Sequence, residues 1–317
     1  MKTAECVSPK HPDKLCDRIS DKLLDLYLEG DPYSRCAIET MGGHGKVFIT
    51  GEVTSKTELS DDQIKQVVKE ISDIDDVTIH LVQQSREIAQ GVDTGGAGDQ
   101  GIMIGYACRE NDEYLPQEYF LARELNKFVY QKFPYDGKTQ ITMNQDSVRV
   151  VCSFQNAPKE ELVELVKEFF ENYKQYRIEQ IHCNPAGDWE QGGFDADAGL
   201  TGRKLAVDNY GPRIPLGGGA FSGKDATKVD RSAAYMARKI AVDYLEKHQA
   251  DEVFVQLAYA IGYDKPVQAS AVVDGEYLEI LDYDLSPNGI IQTLDLRKPI
   301  FEKTAQFGHM GCGFNWK

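Results

Sequence analysis

Residues 218–224 read GGAFSGK, a glycine-rich segment that ends in a lysine. Glycine backbone amides beside a lysine can bind phosphate oxygens, so this segment predicts an anion site. It satisfies the first part of the G-x-x-x-x-G-K pattern of P-loop proteins, but Asp225 stands where a magnesium-binding Ser or Thr is needed. Pro212 and Pro215 shortly before it are unsuited to the buried strand that a P-loop must follow. We therefore reject a P-loop fold and retain the prediction of phosphate binding.

Basic residues are concentrated around this segment. Residues 201–240 hold eight Lys and Arg against three Asp, a local charge of +5 in a chain of net charge −16. The periodicity predicts a helix from about Ala226 to Lys247, with three cations within two turns at its start that a phosphate chain could contact, Lys224, Lys228 and Arg231. A solvated helix face is the alternative explanation. Asp230 suits either an ion-pair partner or a Mg²⁺ ligand beside phosphates.

Other segments carry acids and bases in loops: SPKHPDK at 8–14, YDGK at 135–138 and DAGLTGRK at 197–204. In the first, Pro12 and Asp13 suit the first turn of a helix, but this does not account for His11 or Lys14. Segment 91–105 has six glycines in fifteen residues around two aspartates and a glutamine. Such polar specificity favours a loop that approaches a ligand.

Composition excludes several classes of protein. The chain has 317 residues, and its 51 acidic against 35 basic side chains argue against nucleic-acid or anionic-membrane partners. No apolar run approaches the roughly 20 residues that span a bilayer, and the first residues lack a signal-peptide core. The seven cysteines are scattered without a C-x-x-C pair, so neither a zinc site nor a disulfide framework is indicated. We expect a cytoplasmic protein.

The elements that would position these residues repeat in the order α-β-β-α-β. The first copy runs from a helix at Pro12–Glu29 to a strand at Val77–Val82, and Ser60 opens its second helix with a capping box. The order recurs from Pro116 to His182, and a partial third copy begins with the helix at about Ala226 and ends in a less regular tail. This predicts an α+β fold of three related modules, each a mixed sheet with helices on one face, at residues 1–95, 96–190 and 191–317. The other sheet faces must be buried against one another or against a second subunit.

Taken together, these segments resemble the signatures of the S-adenosylmethionine synthetase (methionine adenosyltransferase) family. GGGAFSGKD is the most specific, and AIET, GEVTS, GAGDQG, YAIG and IIQTLDLRKPI occur in the family's order along nearly the whole chain. The resemblance implies three pseudo-symmetric α+β domains. It also implies a homodimer with sites shared between subunits, and leaves open whether dimers pair into tetramers. In the implied reaction, methionine sulfur attacks C5′ of ATP, and the expelled tripolyphosphate is hydrolysed to pyrophosphate and phosphate. Two Mg²⁺ per site and K⁺ would assist.

The resemblance also implies roles for individual residues. The catalytic set would be His11, Lys138, Arg203, Lys204, Lys224 and Asp230. The rest of the ATP site would be lined by Asp136, Trp189, Asp197 and Ala220, with Trp189 stacked on adenine. Methionine would be placed by Glu52, Gln90, Asp99, Asp197 and Lys228. The Mg²⁺ ligands would be Asp13 and Asp230, and the K⁺ ligand Glu39.

The chain departs from the family pattern in places. It is shorter than usual members, and the loop that forms a mobile gate in relatives is reduced to Val92–Gly95. Asp188 replaces a residue that is usually basic beside the adenine-stacking ring. Two alternatives to adenosyl transfer are an ATP phosphotransferase and a catalytically silent nucleotide-sensing module. The first needs a Ser or Thr after Lys224, and the second would be signalled by loss of His11, Asp13 or Lys224, all of which are present.

Overall fold

A computed structural model describes residues 1–84, 95–311 and 313–317. Its strands are β1 (Lys2–Val7), β2 (Arg35–Gly43), β3 (Lys46–Thr54), β4 (Asp76–Val82), β5 (Gly101–Cys108), β6 (Gly137–Asn144), β7 (Ser147–Phe154), β8 (Arg177–Cys183), β9 (Gly199–Leu200), β10 (Glu252–Tyr259), β11 (Gln268–Val273) and β12 (Glu276–Glu279). Its helices are α1 (Pro12–Gly30), α2 (Asp61–Ser72), α3 (Gln117–Lys132), α4 (Lys159–Phe170), α5 (Leu205–Asp208), α6 (Val229–Lys247), α7 (Pro287–Leu294) and α8 (Phe301–Phe307).

These elements form three four-stranded sheets, in the orders β4-β3-β2-β9, β1-β6-β7-β8 and β12-β11-β10-β5. The first two sheets are mixed, as predicted, and the third is antiparallel throughout. Neighbouring strands are antiparallel except for the pairs β3–β4 and β7–β8, which are parallel. The order α-β-β-α-β is present from α1 to β4 and again from α3 to β8. The predicted α+β class with repeated modules is therefore confirmed.

Each sheet takes one edge strand from a distant part of the chain, which the sequence pattern does not predict. Strand β1 joins the second sheet, β9 joins the first, and β5 joins the third. Val7 at the end of β1 pairs with Lys138, and Leu200 in β9 pairs with Met41. These pairings place segment 8–14 beside YDGK and place DAGLTGRK along the edge of β2.

Helices cover one face of each sheet, and the first sheet shows how the alternation works. In β2, Cys36, Ile38 and Thr40 are buried, whereas Glu39 and Met41, which alternate with them, are exposed on the opposite face. Successive strand residues point to opposite sides, so one face of the sheet packs beneath the helices and the other stays open. The open face is the one that carries Glu39.

The structure corrects three local expectations. Helix α6 begins at Val229, so Lys224 lies in a loop and Lys228 is the N-cap. Residues 101–105 of the predicted ligand-approach loop belong to strand β5, and at Gly105 a Cβ would lie 2.0 Å from the carbonyl oxygen of Ala237. That glycine serves close packing of β5 on α6. The tail also contains β12, α7 and α8 instead of irregular chain. No helix in the described residues is long and apolar enough to cross a membrane.

Candidate active site

His11 lies at the N-cap of α1 and is almost fully buried. Its Nδ1 accepts a hydrogen bond from the backbone N–H of Asp13 at 3.2 Å. Burial, with the positive charges of Lys204 and Lys138, lowers the pKa of His11 to about 3. The ring is therefore neutral near pH 7, and because Nδ1 accepts, its proton is on Nε2. His11 can donate one hydrogen bond to a ligand without carrying charge.

Asp13 is buried and connects the start of α1 to the DAGLTGRK segment. Its Oδ1 accepts from the backbone N–H of Leu200 at 2.9 Å and lies 3.0 Å from Nε of Arg203. Its Oδ2 accepts from Nζ of Lys204 at 2.5 Å. Burial alone would raise the pKa of Asp13, but the bonds from Lys204 and Leu200 hold it below its ordinary value. The carboxylate is ionised and gathers two cations.

Asp136 and Lys138 approach the same point from β6 and the turn before it. Burial raises the pKa of Asp136, partly offset by the bond from the backbone N–H of Gly193 at 3.0 Å and by the charge of Lys138. Lys138 is exposed. We call the group His11, Asp13, Asp136, Lys138, Asp197, Arg203 and Lys204 the His11 cluster. A cavity of about 490 Å³ beside it is lined by Asp136, Tyr135, Gln155, Gly192 and Gly193 among others, and it is within the size range of small-molecule pockets.

A second group, the Lys224 cluster, comprises Lys224, Lys228 and Asp230 with the glycine loop 217–223. Nζ of Lys224 lies 2.7 Å from Oδ2 of Asp230. Lys228 is paired with buried Asp225 at 2.6 Å, and Asp225 also accepts from the backbone N–H of Cys36. An aspartate therefore stands at the Walker serine position because it ties this loop to β2. This geometry agrees with the rejection of a P-loop.

Two arginines of the basic region do not belong to either cluster. Arg231 and Arg238 are fully buried. Arg231 pairs with Asp21 at 2.6 Å, and Arg238 donates to the backbone carbonyl oxygens of Tyr106 and Glu113. The expectation that Arg231 contacts phosphate is wrong, and so is the alternative of a solvated helix face for these two residues. The concentration of charge in sequence partly reflects internal pairing.

Strand β2 relates the two clusters. Ala37 pairs with Glu52 on one side and forms an isolated bridge with Lys224 on the other, while Met41 further along pairs with Leu200. Four residues of extended strand separate the bridge from β9, a distance of about 13 Å. Because directly paired residues share a face, the open face of this sheet carries Glu52 and Lys224.

Glu39 lies on this same open face, two residues beyond Ala37 along β2. Ala220 of the glycine loop packs against Gly202, where a Cβ would lie 2.5 Å from that of Ala220. The loop thereby contacts the segment that carries the cations of the His11 cluster.

The sequence did not point to three residues that hold these clusters in place. Asp17 and Asp21 are buried in α1 and accept from the backbone N–H groups of Gly202 and Gly223, both at 2.8 Å. Asp225 anchors Lys228 as described. A signal was available for the first two, because aspartates recur every four residues along α1 from Asp13.

Family models for S-adenosylmethionine synthetase match the chain throughout: the N-terminal domain at residues 1–94, the central domain at 94–189 and the C-terminal domain at 191–317. The chain belongs to the S-adenosylmethionine synthetase family. S-adenosylmethionine synthase 2 of Rhodospirillum rubrum is 40% identical over 99% of this chain and 94% of that protein. The S-adenosylmethionine synthase of Pelagibacter ubique is 40% identical over 98% of this chain and 92% of that protein.

Solved structures agree with these matches. An unusual S-adenosylmethionine synthetase from Campylobacter jejuni has a TM-score of 0.89 and 33% identity, covering 99% of this chain and 96% of that one. The alignment with the R. rubrum protein runs over 367 positions, more than the 317 residues of this chain. This member of the synthetase family therefore lacks segments that the relative carries.

Asp188 departs from the family pattern beside the indole that we expect to stack on adenine. Its carboxylate is hydrogen-bonded within the second module of this synthetase. Its Oδ1 accepts from the backbone N–H of Lys159 at the start of α4 and from Nδ2 of Asn184 at 3.0 Å. Asn184 in turn accepts from Nε1 of Trp189 at 3.3 Å. Half-buried Trp189 lies against Gly192, where a Cβ would come within 2.8 Å of its ring. Asp188 thus helps to orient the indole.

Some of the residues that the synthetase signatures assign to methionine binding lie in the part of the chain that the structure describes. Asp99 is exposed, and its Oδ1 accepts from the backbone N–H of Gln100. Gly101 of β5, two residues on, lies beside Asp230, because a Cβ there would be 3.5 Å from Oδ1 of that aspartate. This relation brings Asp99 toward the Lys224 cluster. Gln90 and the shortened gate, apart from Gly95, lie outside the described residues.

The metal ions implied by the synthetase family can be tested against the donors present. Asp13 and Asp230 each offer a carboxylate that a lysine now neutralises. At Gly219 a Cβ would lie 2.2 Å from Oδ1 of Asp230, so the missing side chain leaves this oxygen accessible. Among the described residues, no group of three or more His, Cys, Asp or Glu could form a metal cage. One carboxylate per ion suits Mg²⁺, which commonly completes its shell with water and substrate phosphates.

Proposed function

We propose that this chain transfers the adenosyl group of ATP to the sulfur of methionine. The sulfur attacks C5′, the C5′–O bond breaks, and the intact tripolyphosphate leaves and is then cleaved by water to pyrophosphate and phosphate. The observation that carries the proposal is the His11 cluster, in which neutral His11 lies near the positive charges of Lys204 and Lys138 and beside ionised Asp13. Family membership supports the reaction class.

The cations address the main difficulty of this reaction, which is the growing negative charge on the departing oxygen. Lys138, Arg203 and Lys204 in the His11 cluster and Lys224 in the second cluster supply four positive charges. Two unit charges about 4 Å apart attract by about 4 kcal/mol at an effective dielectric of about 20. Several such contacts, fixed before the reaction, are sufficient for a substantial part of enzymatic rate enhancement.

Neutral His11 supplies a directed hydrogen bond to the same oxygens. Its Nδ1 is engaged by the backbone N–H of Asp13 at 3.2 Å, which fixes the ring. The Nε2–H is then available to a phosphate oxygen. Because the low pKa of His11 keeps the ring neutral, this donor persists throughout the neutral pH range.

Mg²⁺ and K⁺ are proposed as the metal ions of the site. Asp13 and Asp230 would each hold one Mg²⁺, and Glu39 on the open face of β2 would hold K⁺. Bound Mg²⁺ supplies further neutralisation of phosphate charge. Lys204 and Lys224, which now pair with these two aspartates, would then be free to turn toward phosphate oxygens.

Substrate placement follows from charge and shape. The α-carboxylate of methionine requires a cation, for which we propose Lys228, and its ammonium group requires carboxylates, for which we propose Glu52, Asp99 and Asp197. Gln90 completes the proposed methionine set. Trp189 would stack on adenine, and Asp136, Asp197 and Ala220 would line the remainder of the nucleotide site.

We propose a homodimer in which each site takes the His11 cluster from one subunit and the Lys224 cluster from the other. The open face of the first sheet supports this assembly, because Met41 and Phe48 are directly paired there and are 55% and 43% exposed. A partner would bury this apolar pair beside Glu39. The buried, free cysteines among the described residues also support a cytoplasmic location.

Incubation with ATP, methionine, Mg²⁺ and K⁺, followed by mass spectrometry of all products, tests the proposal. We expect S-adenosylmethionine, pyrophosphate and phosphate in equal amounts. ADP as the nucleotide product would identify a phosphotransferase or ATPase. Tight ATP binding without any product would identify a sensing module, and either result would overturn the proposal.

A further inference from the structure

Four buried aspartates follow one another at intervals of four residues along α1, and we call them the α1 aspartate row: Asp13, Asp17, Asp21 and Asp25, exposed by 0%, 0%, 0% and 6%. Residues four apart lie on one side of a helix, so the row follows a single line over more than three turns. Like charges at this spacing repel, and buried carboxylates are costly unless they are bonded. A row of this kind requires compensating partners along its length.

Cationic side chains supply part of this compensation, such as Lys14 at 3.0 Å from Asp17, and backbone N–H groups from other segments supply the rest. Asp17 accepts from Gly202, the residue before Arg203, at 2.8 Å. Asp21 accepts from Gly223, the residue before Lys224, at 2.8 Å. The row therefore holds the backbone directly next to cations of both clusters.

The backbone at Lys224 is hydrogen-bonded on both sides, because Asp21 acts together with buried Arg231. The guanidinium binds the Asp21 carboxylate through both terminal nitrogens, at 2.6 and 2.9 Å. Nη1 of Arg231 also donates to the backbone carbonyl oxygen of Lys224 at 3.1 Å. The pair thus grips the N–H of Gly223 and the carbonyl of Lys224.

The remaining backbone groups of this dipeptide are also bonded. The carbonyl of Gly223 accepts from Ile38 of β2 at 3.0 Å, and the N–H of Lys224 donates to Phe221 at 3.2 Å. Gly223 has a φ of +81°, and a Cβ there would lie 1.9 Å from the carbonyl oxygen of Ile38, so only glycine fits. Because the N–H and carbonyl groups of both residues are hydrogen-bonded, the backbone of Lys224 is fixed, and only its side chain can move.

We infer that Asp21 and Arg231 are positioning residues for adenosyl transfer, acting through Lys224. This inference rests on the proposed function for the role of Lys224. Replacement of a buried ion pair by well-packed apolar groups is often neutral or stabilising, so stability alone does not account for this pair. Its specific contribution is the location of the Lys224 backbone, and displacement of a phosphate-binding group by about 1 Å can cost about 10²-fold in rate.

A double-mutant cycle between Asp21→Asn and Lys224→Ala tests the inference. For wild type and the three variants, kcat and KM for methionine are measured, with the affinity for inorganic tripolyphosphate from calorimetry. We expect Asp21→Asn alone to lower kcat about 10²-fold, with weaker tripolyphosphate binding and an unchanged KM for methionine. In the Lys224→Ala background the same substitution should cause no further loss, because residues acting through one contact are not additive.

Asp25→Asn is the matched control. Asp25 lies one turn further along the same row, and it accepts from the backbone N–H groups of Phe301 and Glu302 at 2.9 Å, away from Lys224. We expect it to retain wild-type kcat. An equal loss of kcat in Asp25→Asn, or a loss from Asp21→Asn that is undiminished on top of Lys224→Ala, would overturn the inference.

A second variant covers the case in which Asp21→Asn does not fold. Arg231→Lys keeps a positive charge beside Asp21 but cannot bind both carboxylate oxygens and the Lys224 carbonyl together, so it should reproduce the kcat and tripolyphosphate effects. Wild-type kcat and tripolyphosphate affinity in Arg231→Lys would contradict the inference. If wild-type protein forms no S-adenosylmethionine, the proposed function fails, whereas the tripolyphosphate affinities still decide whether the pair positions Lys224.

Discussion

The two ring nitrogens of His11 have separate roles. Nδ1 caps α1 by accepting from the backbone N–H of Asp13, and Nε2–H is the donor available to substrate. Burial and the nearby lysines keep the ring uncharged, with a pKa of about 3. The residue therefore contributes to helix stability and to the reaction through different atoms, and these contributions can be separated.

His11→Asn separates them. Asparagine is a favoured N-cap residue, so its Oδ1 should retain the bond to Asp13 and thermal stability should change little. Loss of the Nε2–H donor should lower kcat for S-adenosylmethionine formation about 10²-fold, as does removal of one preorganised donor elsewhere. Steady-state kinetics and thermal unfolding of the same preparation measure both effects. Wild-type kcat in a stable variant would exclude His11 from the reaction.

At the scale of elements, α1 connects the site to the core. Its apolar side, including Leu15, Ile19 and Leu23, packs into the main core, while the α1 aspartate row bonds the loops of both clusters. Asp25, at the far end of the row, differs from Asp21 in having no cation directly paired with it among the described residues. Burial raises the pKa of Asp25 to about 7, despite bonds from the N–H groups of Glu302 and Phe301.

This raised pKa predicts a pH-dependent stability effect of Asp25→Asn. With a folded-state pKa near 7 against an ordinary value of 3.8, folded protein binds more protons at this site than unfolded protein between these pH values. The contribution of Asp25 to the free energy of unfolding therefore falls as pH rises through that window. Asparagine does not titrate, so the stability of the variant relative to wild type should increase from pH 5 to pH 8. Urea unfolding at both pH values measures this difference, and a constant difference would contradict the assignment.

Periodicity predicted the longer helices and the module repeat, because apolar spacing depends on local backbone geometry. It did not predict that β1, β5 and β9 form sheet edges, because the partner of each edge strand lies far away in the chain. Arg231 shows the same limit in the site. Its position in a basic region suggested phosphate contact, yet its partner Asp21 is 210 residues away. His11 and Lys224, in contrast, lie in short contiguous motifs, and such motifs can be recognised without knowing which distant residues contact them.

At the scale of the whole molecule, the homodimer that we propose would form each site where two subunits meet. Lys138 lies in the His11 cluster and Lys224 in the other, so each site would take one of them from each chain. Exposed Met41 and Phe48 on the open sheet face are where the partner would pack. This arrangement predicts that defects in the two clusters can complement each other.

Mixed dimers of Lys138→Ala and Lys224→Ala test this division. In a heterodimer one site would carry both substitutions and the other would carry neither. With random pairing of equal amounts, half of the dimers are mixed, and activity should recover to about a quarter of the wild-type value. Each variant alone, denatured and refolded in the same way, is the control. No recovery in verified heterodimers would show that one chain supplies both clusters.

Turnover in H₂¹⁸O distinguishes attack at C5′ with release of intact tripolyphosphate from transfer or hydrolysis at the γ-phosphate. Mass spectrometry of the products should show S-adenosylmethionine without ¹⁸O. Pyrophosphate and phosphate together should carry one ¹⁸O per turnover, since water enters only when tripolyphosphate is cleaved. ADP together with ¹⁸O-labelled phosphate, and no S-adenosylmethionine, would show that the chain hydrolyses ATP at the γ-phosphate and would overturn adenosyl transfer.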